Sequence, residues 1–295
     1  SSSRFTLLFQ FVVFPVLVVA ACVGVFLIFG LISYEPKSLS DYLVDMRSGG
    51  ASRRWHAAFE LSKKLASQRG LSHPENPEER SAAEADKTLA ADSGFVPSLL
   101  ELYDKSKHDD PRLRQYLTLC LGYVDGPGVP ETLTDSLSDP DPVVRFYAVW
   151  ALAVRHDTAS VPRLLDMLKQ EDPALRKVIV YSLGALGDTR AVPALQELLN
   201  DPQPDIRWNA ALALARFGDA SGAPVIGTML DREYLKGVDG MNDAQQEQIM
   251  INAVRACALL KDPALNARLE EISSRDKSLK VRQAALQALK QEPTP

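Results

Sequence analysis

Apolar and polar residues follow one pattern four times between residues 111 and 218: DPRLRQYLTLCL, DPVVRFYAVWAL, DPALRKVIVYSL and QPDIRWNAALAL. Behind each proline the apolar residues return at three- and four-residue spacing, which predicts an amphipathic helix. One arginine keeps its place in every copy, as Arg114, Arg145, Arg176 and Arg207, at a constant interval of 31 residues. A strict period of that length marks a solenoid, whose repeats cannot bury an apolar face alone and must stack on their neighbours. The fold class expected is all-α.

The punctuation agrees. Asp-Pro pairs at 110–111, 141–142, 172–173 and 201–202 predict helix starts, with Asp accepting from orphan N–H groups and Pro giving up no needed bond. Ends are expected near Gly122, Gly187 and Gly218, and a second helix of each repeat opens around Pro97, Pro130, Pro162, Pro193 and Pro224. Upstream, Ser40–Arg47 and Arg53–Ala66 read as a helix pair around Ser48-Gly49-Gly50, with Arg54 in the arginine place. Residues 68–94 read as an irregular insert or degenerate repeat. After Leu230 the period slips over an insertion at 231–247; Met250 then takes the arginine place, and Arg282 resumes it. Insertions in solenoids collect on one face, often a binding face, and a merely tolerated loop fits equally well.

The pattern D-P-x-x-x-R-x-x-A followed by G-D-x-x-A-V-P-x-L, clearest at Asp172–Leu199, resembles bacterial HEAT repeats, particularly those of the phycobilisome-lyase type. The resemblance covers roughly Val96–Leu289 and implies a HEAT-like α-solenoid of about six or seven repeats over residues 35–295. It says little about function, because such repeats serve many unrelated proteins.

Residues 1–34 stand apart. From Phe5 to Ile32 there is no charged residue, and such a helix would reach about 42 Å against a hydrocarbon core of about 30 Å. A signal peptide has an apolar stretch of about half that length. Val19-Ala20-Ala21-Cys22 looks like a lipobox, yet the chain stays apolar beyond it. A permanent single-pass anchor is therefore expected, with Ala20 and Gly24 on one face for packing against another transmembrane helix. Only Arg4 precedes the span, whereas Lys37, Arg47, Arg53 and Arg54 follow it, which places the soluble part in the cytoplasm, on a bacterial inner membrane.

Composition narrows the function. The 33 basic and 38 acidic residues give a net charge of −5 with no long block of one sign, which argues against a nucleic-acid partner. Cys22, Cys120 and Cys257 lie far apart in apolar stretches and read as buried small hydrophobes. His56, His73, His108 and His156 form no His-Glu pairs, and phosphate loops, nucleophile elbows and zinc motifs are missing. The expectation is a non-enzymatic protein without catalytic residue, cofactor or metal. It would be an accessory scaffold docking onto an integral membrane protein or complex. The alternatives are an adaptor that captures a soluble protein on its concave face and, more distantly, a bilin-lyase-like or small-ligand binder.

Helical geometry locates the surface. The third and seventh residues after each arginine define the core direction, so the first and fifth fall about 160° away and should be polar. They are instead Trp55, Phe59, Phe146, Trp150, Tyr181 and Trp208, with Leu119 and Leu212. An outer apolar stripe is expected there as the partner-binding surface, giving way to Arg255 and Gln287 toward the C-terminus.

Overall fold

The computed structural model describes residues 37–70, 94–107, 110–169 and 172–290. The expected anchor, with Ala20 and Gly24, and most of the 68–94 insert lie outside them. The described chain is helical: α1 (Leu39–Ser48), α2 (Ala51–Gln68), α3 (Phe95–Ser106), α4 (Pro111–Gly122), α5 (Val129–Ser136), α6 (Pro142–Val154), α7 (Val161–Met167) and α8 (Pro173–Leu186). There follow α9 (Val192–Glu197), α10 (Pro204–Arg216), α11 (Ala223–Met229), α12 (Arg232–Lys236), α13 (Asp243–Leu260), α14 (Pro263–Arg275) and α15 (Leu279–Lys290). Among the described residues no helix is long and apolar enough to cross a membrane.

Local chemistry sets the helix starts. Asp110, Asp141 and Asp172 accept from Leu113 N (3.0 Å), Val143 N (2.8 Å) and Ala174 N (2.9 Å), with proline next in each case. Such a cap contributes about 1 kcal/mol. Asp201-Pro202 departs from the expectation: α10 starts two residues later, at Pro204, capped by Gln203 without a side-chain bond. The Asp201 carboxylate is engaged by Gln203 N and by Arg176 instead. Asp157, Asp188 and Asp219 cap the short 3₁₀ turns that feed α7, α9 and α11.

Two layers result. The ladder consists of α2, α4, α6, α8, α10, α13 and α15, each packed on the next, and α1, α3, α5, α7, α9, α11 and α14 back it with far less packing on one another, of which α1 on α3 is the main instance. This is an α-solenoid of helix pairs. The ladder is the more closely packed layer, and an array so built curves toward it, which makes the ladder surface the concave one. Small residues permit the close approach. A Cβ on Gly184 would lie 2.5 Å from the Ala213 Cβ, and one on Gly122 would lie 2.8 Å from the Ala151 Cβ. Between the layers Leu113, Leu117, Leu121, Leu152, Leu183 and Leu214 are fully buried, each worth about 1.5–3 kcal/mol.

The arginines tie one pair to the next. Arg114 is bidentate on Asp139 (2.8 and 3.0 Å), and Arg145 donates to the Asp139 main-chain carbonyl at 2.8 Å. The arrangement recurs at Asp201, held by Arg176 through its carboxylate and by Arg207 through its carbonyl. It recurs again at Asp276, where Arg232 replaces a ladder arginine (2.7 Å twice) and Arg282 takes the carbonyl. Met250 occupies the arginine register of α13 and is buried, so the pair after the insertion is clamped from α12 instead. Arg54 lies 3.7 Å from Asp110, so α2 packs directly on α4.

Candidate functional site on the ladder surface

The first three ladder helices present a continuous row of rings. Trp55 of α2 stacks on Tyr116 of α4 (centroids 6.1 Å), Phe59 meets the same tyrosine edge-on (5.3 Å), Tyr116 leads to Tyr147 of α6 (6.5 Å), and Tyr147 to Phe146 (5.9 Å). Trp55 also stacks on His56 at 4.0 Å. Aromatic pairs at these separations are worth about 0.5–1.5 kcal/mol beyond their buried area, so the row is rigid. Its rim is cationic: the Arg112 guanidinium stands 5.8 Å from the Trp55 ring and Lys63 Nζ 5.4 Å from Phe59. Phe146 remains 36% exposed, and burial pushes the Tyr147 phenol up.

The stripe read from the sequence is thus present in part and differs in four respects. It lies on the concave side, because the helices that carry it form the tighter layer. Trp150 is half-buried, edge-on to Tyr123 at 5.5 Å and packed on the core. Trp208, expected on the surface, is only 4% exposed. Its helical position does point away from the inter-layer core, but the 231–247 insertion folds across it. Trp208 belongs to one apolar cluster with Met229 and Leu235, joined by Val238 and Met241. Tyr181 is 47% exposed, yet it stands away from the row, with Arg216 over its ring at 5.4 Å.

Tyr116 and Tyr147, which make the row continuous, were missed by the angular argument. Both are second after the ladder arginine, about 120° from the core direction, a rim position. The signal was the run His56, Tyr116, Tyr147 at that one register.

Among the described residues no cluster of His, Cys, Asp and Glu could hold a metal ion. Cys120 and Cys257 are fully buried, and burial pushes the Cys257 thiol up to about 12, far from a reactive thiolate.

The family of HEAT repeats matches residues 96–172 and 161–238. The central pairs are thus similar to HEAT repeats. Among solved structures the chain is similar to the complex of CpcE and CpcF of phycocyanin lyase from Nostoc sp. PCC7120, with a TM-score of 0.53 and 19% identity over 87% of this chain and 88% of that one. It is also similar to YibA of E. coli, with a TM-score of 0.51 and 14% identity over 86% and 92%. At such identities the likeness is one of fold. Among curated proteins none matches the sequence.

Proposed function

We propose that this protein is a non-enzymatic scaffold, an accessory subunit that docks a protein partner onto the concave HEAT-repeat surface at the aromatic row. In this reading residues 5–32 anchor it in a bacterial inner membrane, with Ala20 and Gly24 against a partner helix, the repeats are cytoplasmic, and the partner is an integral membrane protein or complex. The observation that carries the proposal is the row itself: Trp55, Phe59, Tyr116, Tyr147 and Phe146 are linked ring to ring across three helices and open to solvent at Phe146. Interface centres favour such aromatics, which bring large contact area at little entropic cost. Trp55 lies within about 25 residues of the apolar segment, so a row starting there suits a partner at the bilayer.

The test is mild detergent extraction of the tagged full chain, wild type beside Trp55→Glu/Phe146→Glu. The variant is expected to lose co-purifying protein while its melting temperature stays within a few degrees. Recovery of the wild type only as a monomer would overturn the subunit reading. A stable variant that retains its partner would remove the row from the interface.

A further inference from the structure

The ladder surface changes character beyond α8. Asn209 and Leu212 of α10 and Asn252 of α13 line two adjoining hollows. One, of ≈ 280 Å³, is completed by Tyr181, Arg216 and Arg255. The other, of ≈ 430 Å³, is walled by the insertion at Val238 and Met241. The shared residues make them one groove crossing three ladder helices, bordered at one end by the insertion that buries Trp208.

The charge of the first hollow is out of keeping with the rest of the chain. The net charge is −5, yet the first hollow holds two guanidinium groups and no carboxylate, and among the described residues neither Arg216 nor Arg255 forms an ion pair. Lys177, at the other hollow, is by contrast held by Asp205 at 2.5 Å, and Asp239 adds a second carboxylate there, so the acidic residues of a ligand are drawn to the first hollow. Two unpaired cations lining one hollow repel each other, and an anionic ligand relieves that.

The amides between the hollows are half used. Asn209 and Asn252 hold the same register on successive ladder helices, second after the arginine place. Asn209 Nδ2 donates to the Asp205 carbonyl at 2.7 Å, which leaves its side-chain oxygen open. The Asn252 oxygen accepts from Gln248 at 3.1 Å, which leaves its Nδ2 open. One open acceptor and one open donor match the N–H and C=O of an extended main chain. Leu212 and the 55% exposed Leu259 offer apolar contact beside them.

We propose that this groove binds an extended acidic peptide segment of a partner protein. Its carboxylates meet Arg216 and Arg255, its main chain meets Asn209 and Asn252, and an apolar side chain rests among Tyr181, Leu212 and Leu259. Nucleic acid is disfavoured, since two cations make no track for a phosphate backbone. The site is independent of the aromatic row, and either can fail without the other.

The experiment uses the full chain in detergent and fluorescence anisotropy with a short fluorescein-labelled peptide alternating Glu and Leu, beside a counterpart with Gln for Glu. The Glu peptide is expected to bind, and the Gln peptide to bind at least about tenfold more weakly. Arg216→Ala/Arg255→Ala should weaken the Glu peptide about tenfold or more and flatten its salt dependence. Asn209→Ala/Asn252→Ala should weaken it with the salt dependence kept. Trp55→Glu/Phe146→Glu should leave it unchanged, which separates this groove from the row. Circular dichroism confirms that each variant is folded. No saturable binding, equal binding of the Gln peptide, or unchanged binding by the folded arginine variant would overturn the proposal. Displacement of the peptide by inorganic phosphate at low concentration would show a general anion site and overturn the peptide assignment.

Discussion

Arg114 and Asp139, 25 residues apart in sequence, form a bidentate ion pair at 2.8 and 3.0 Å with side chains only 5% and 8% exposed. The pair joins α4 to the loop that starts α6, so it fixes one repeat on the next. Removing one partner of a buried pair leaves an uncompensated charge, which costs about 3–5 kcal/mol. Asp139→Ala keeps the main-chain carbonyl that Arg145 uses, so the loss reports the carboxylate alone. Equilibrium urea unfolding should show it, whereas Glu60→Ala, which removes a half-exposed partner of Lys63, should cost less than about 1 kcal/mol.

The Gly184–Ala213 approach gives a second expected outcome. In most helices Gly→Ala stabilises by about 1 kcal/mol. At Gly184 the new methyl would sit 2.5 Å from the Ala213 Cβ, and overpacking of that kind costs about 1–3 kcal/mol. Gly184→Ala should therefore lower the melting temperature, and adding Ala213→Gly should restore much of it. Additive losses in the double variant would show that the two positions do not meet.

Acid should loosen the C-terminal clamp. Burial raises the Asp276 carboxyl, but the bonds from Arg232 and from Ser278 N outweigh it and hold the group below its ordinary value. A folded value below the unfolded one means that folding favours the ionised form. That stabilisation is complete above about pH 4 and is lost as pH falls through the folded value. Thermal melts from neutral pH downward should show a steepening loss below about pH 4. Asp276→Asn should be less stable at neutral pH and lose less on acidification.

The period and the Asp-Pro starts at three of four places were legible because their signals are local: a cap and a proline act within one turn of helix. Which side of the array is concave was not, since curvature depends on how closely Gly184 and Ala213, 29 residues apart, let two helices approach. Trp208 shows the other limit. Its angular position is right for a surface residue, but the insertion that covers it has no period of its own. The aromatic row was half visible, as its connecting rings, Tyr116 and Tyr147, occupy a register between core and surface.

Of the described helices only α10 places buried side chains in both apolar clusters: Ala210 and Leu214 in the one reaching back to Leu39, and Trp208, Ala211 and Ala215 in the one reaching on to Ala285. It joins the two clusters. The aromatic row lies on helices of the first cluster, and the groove proposed for an acidic peptide runs across α10 itself. A substitution that displaces α10 therefore disturbs both apolar clusters at once, and with them the surfaces that each supports.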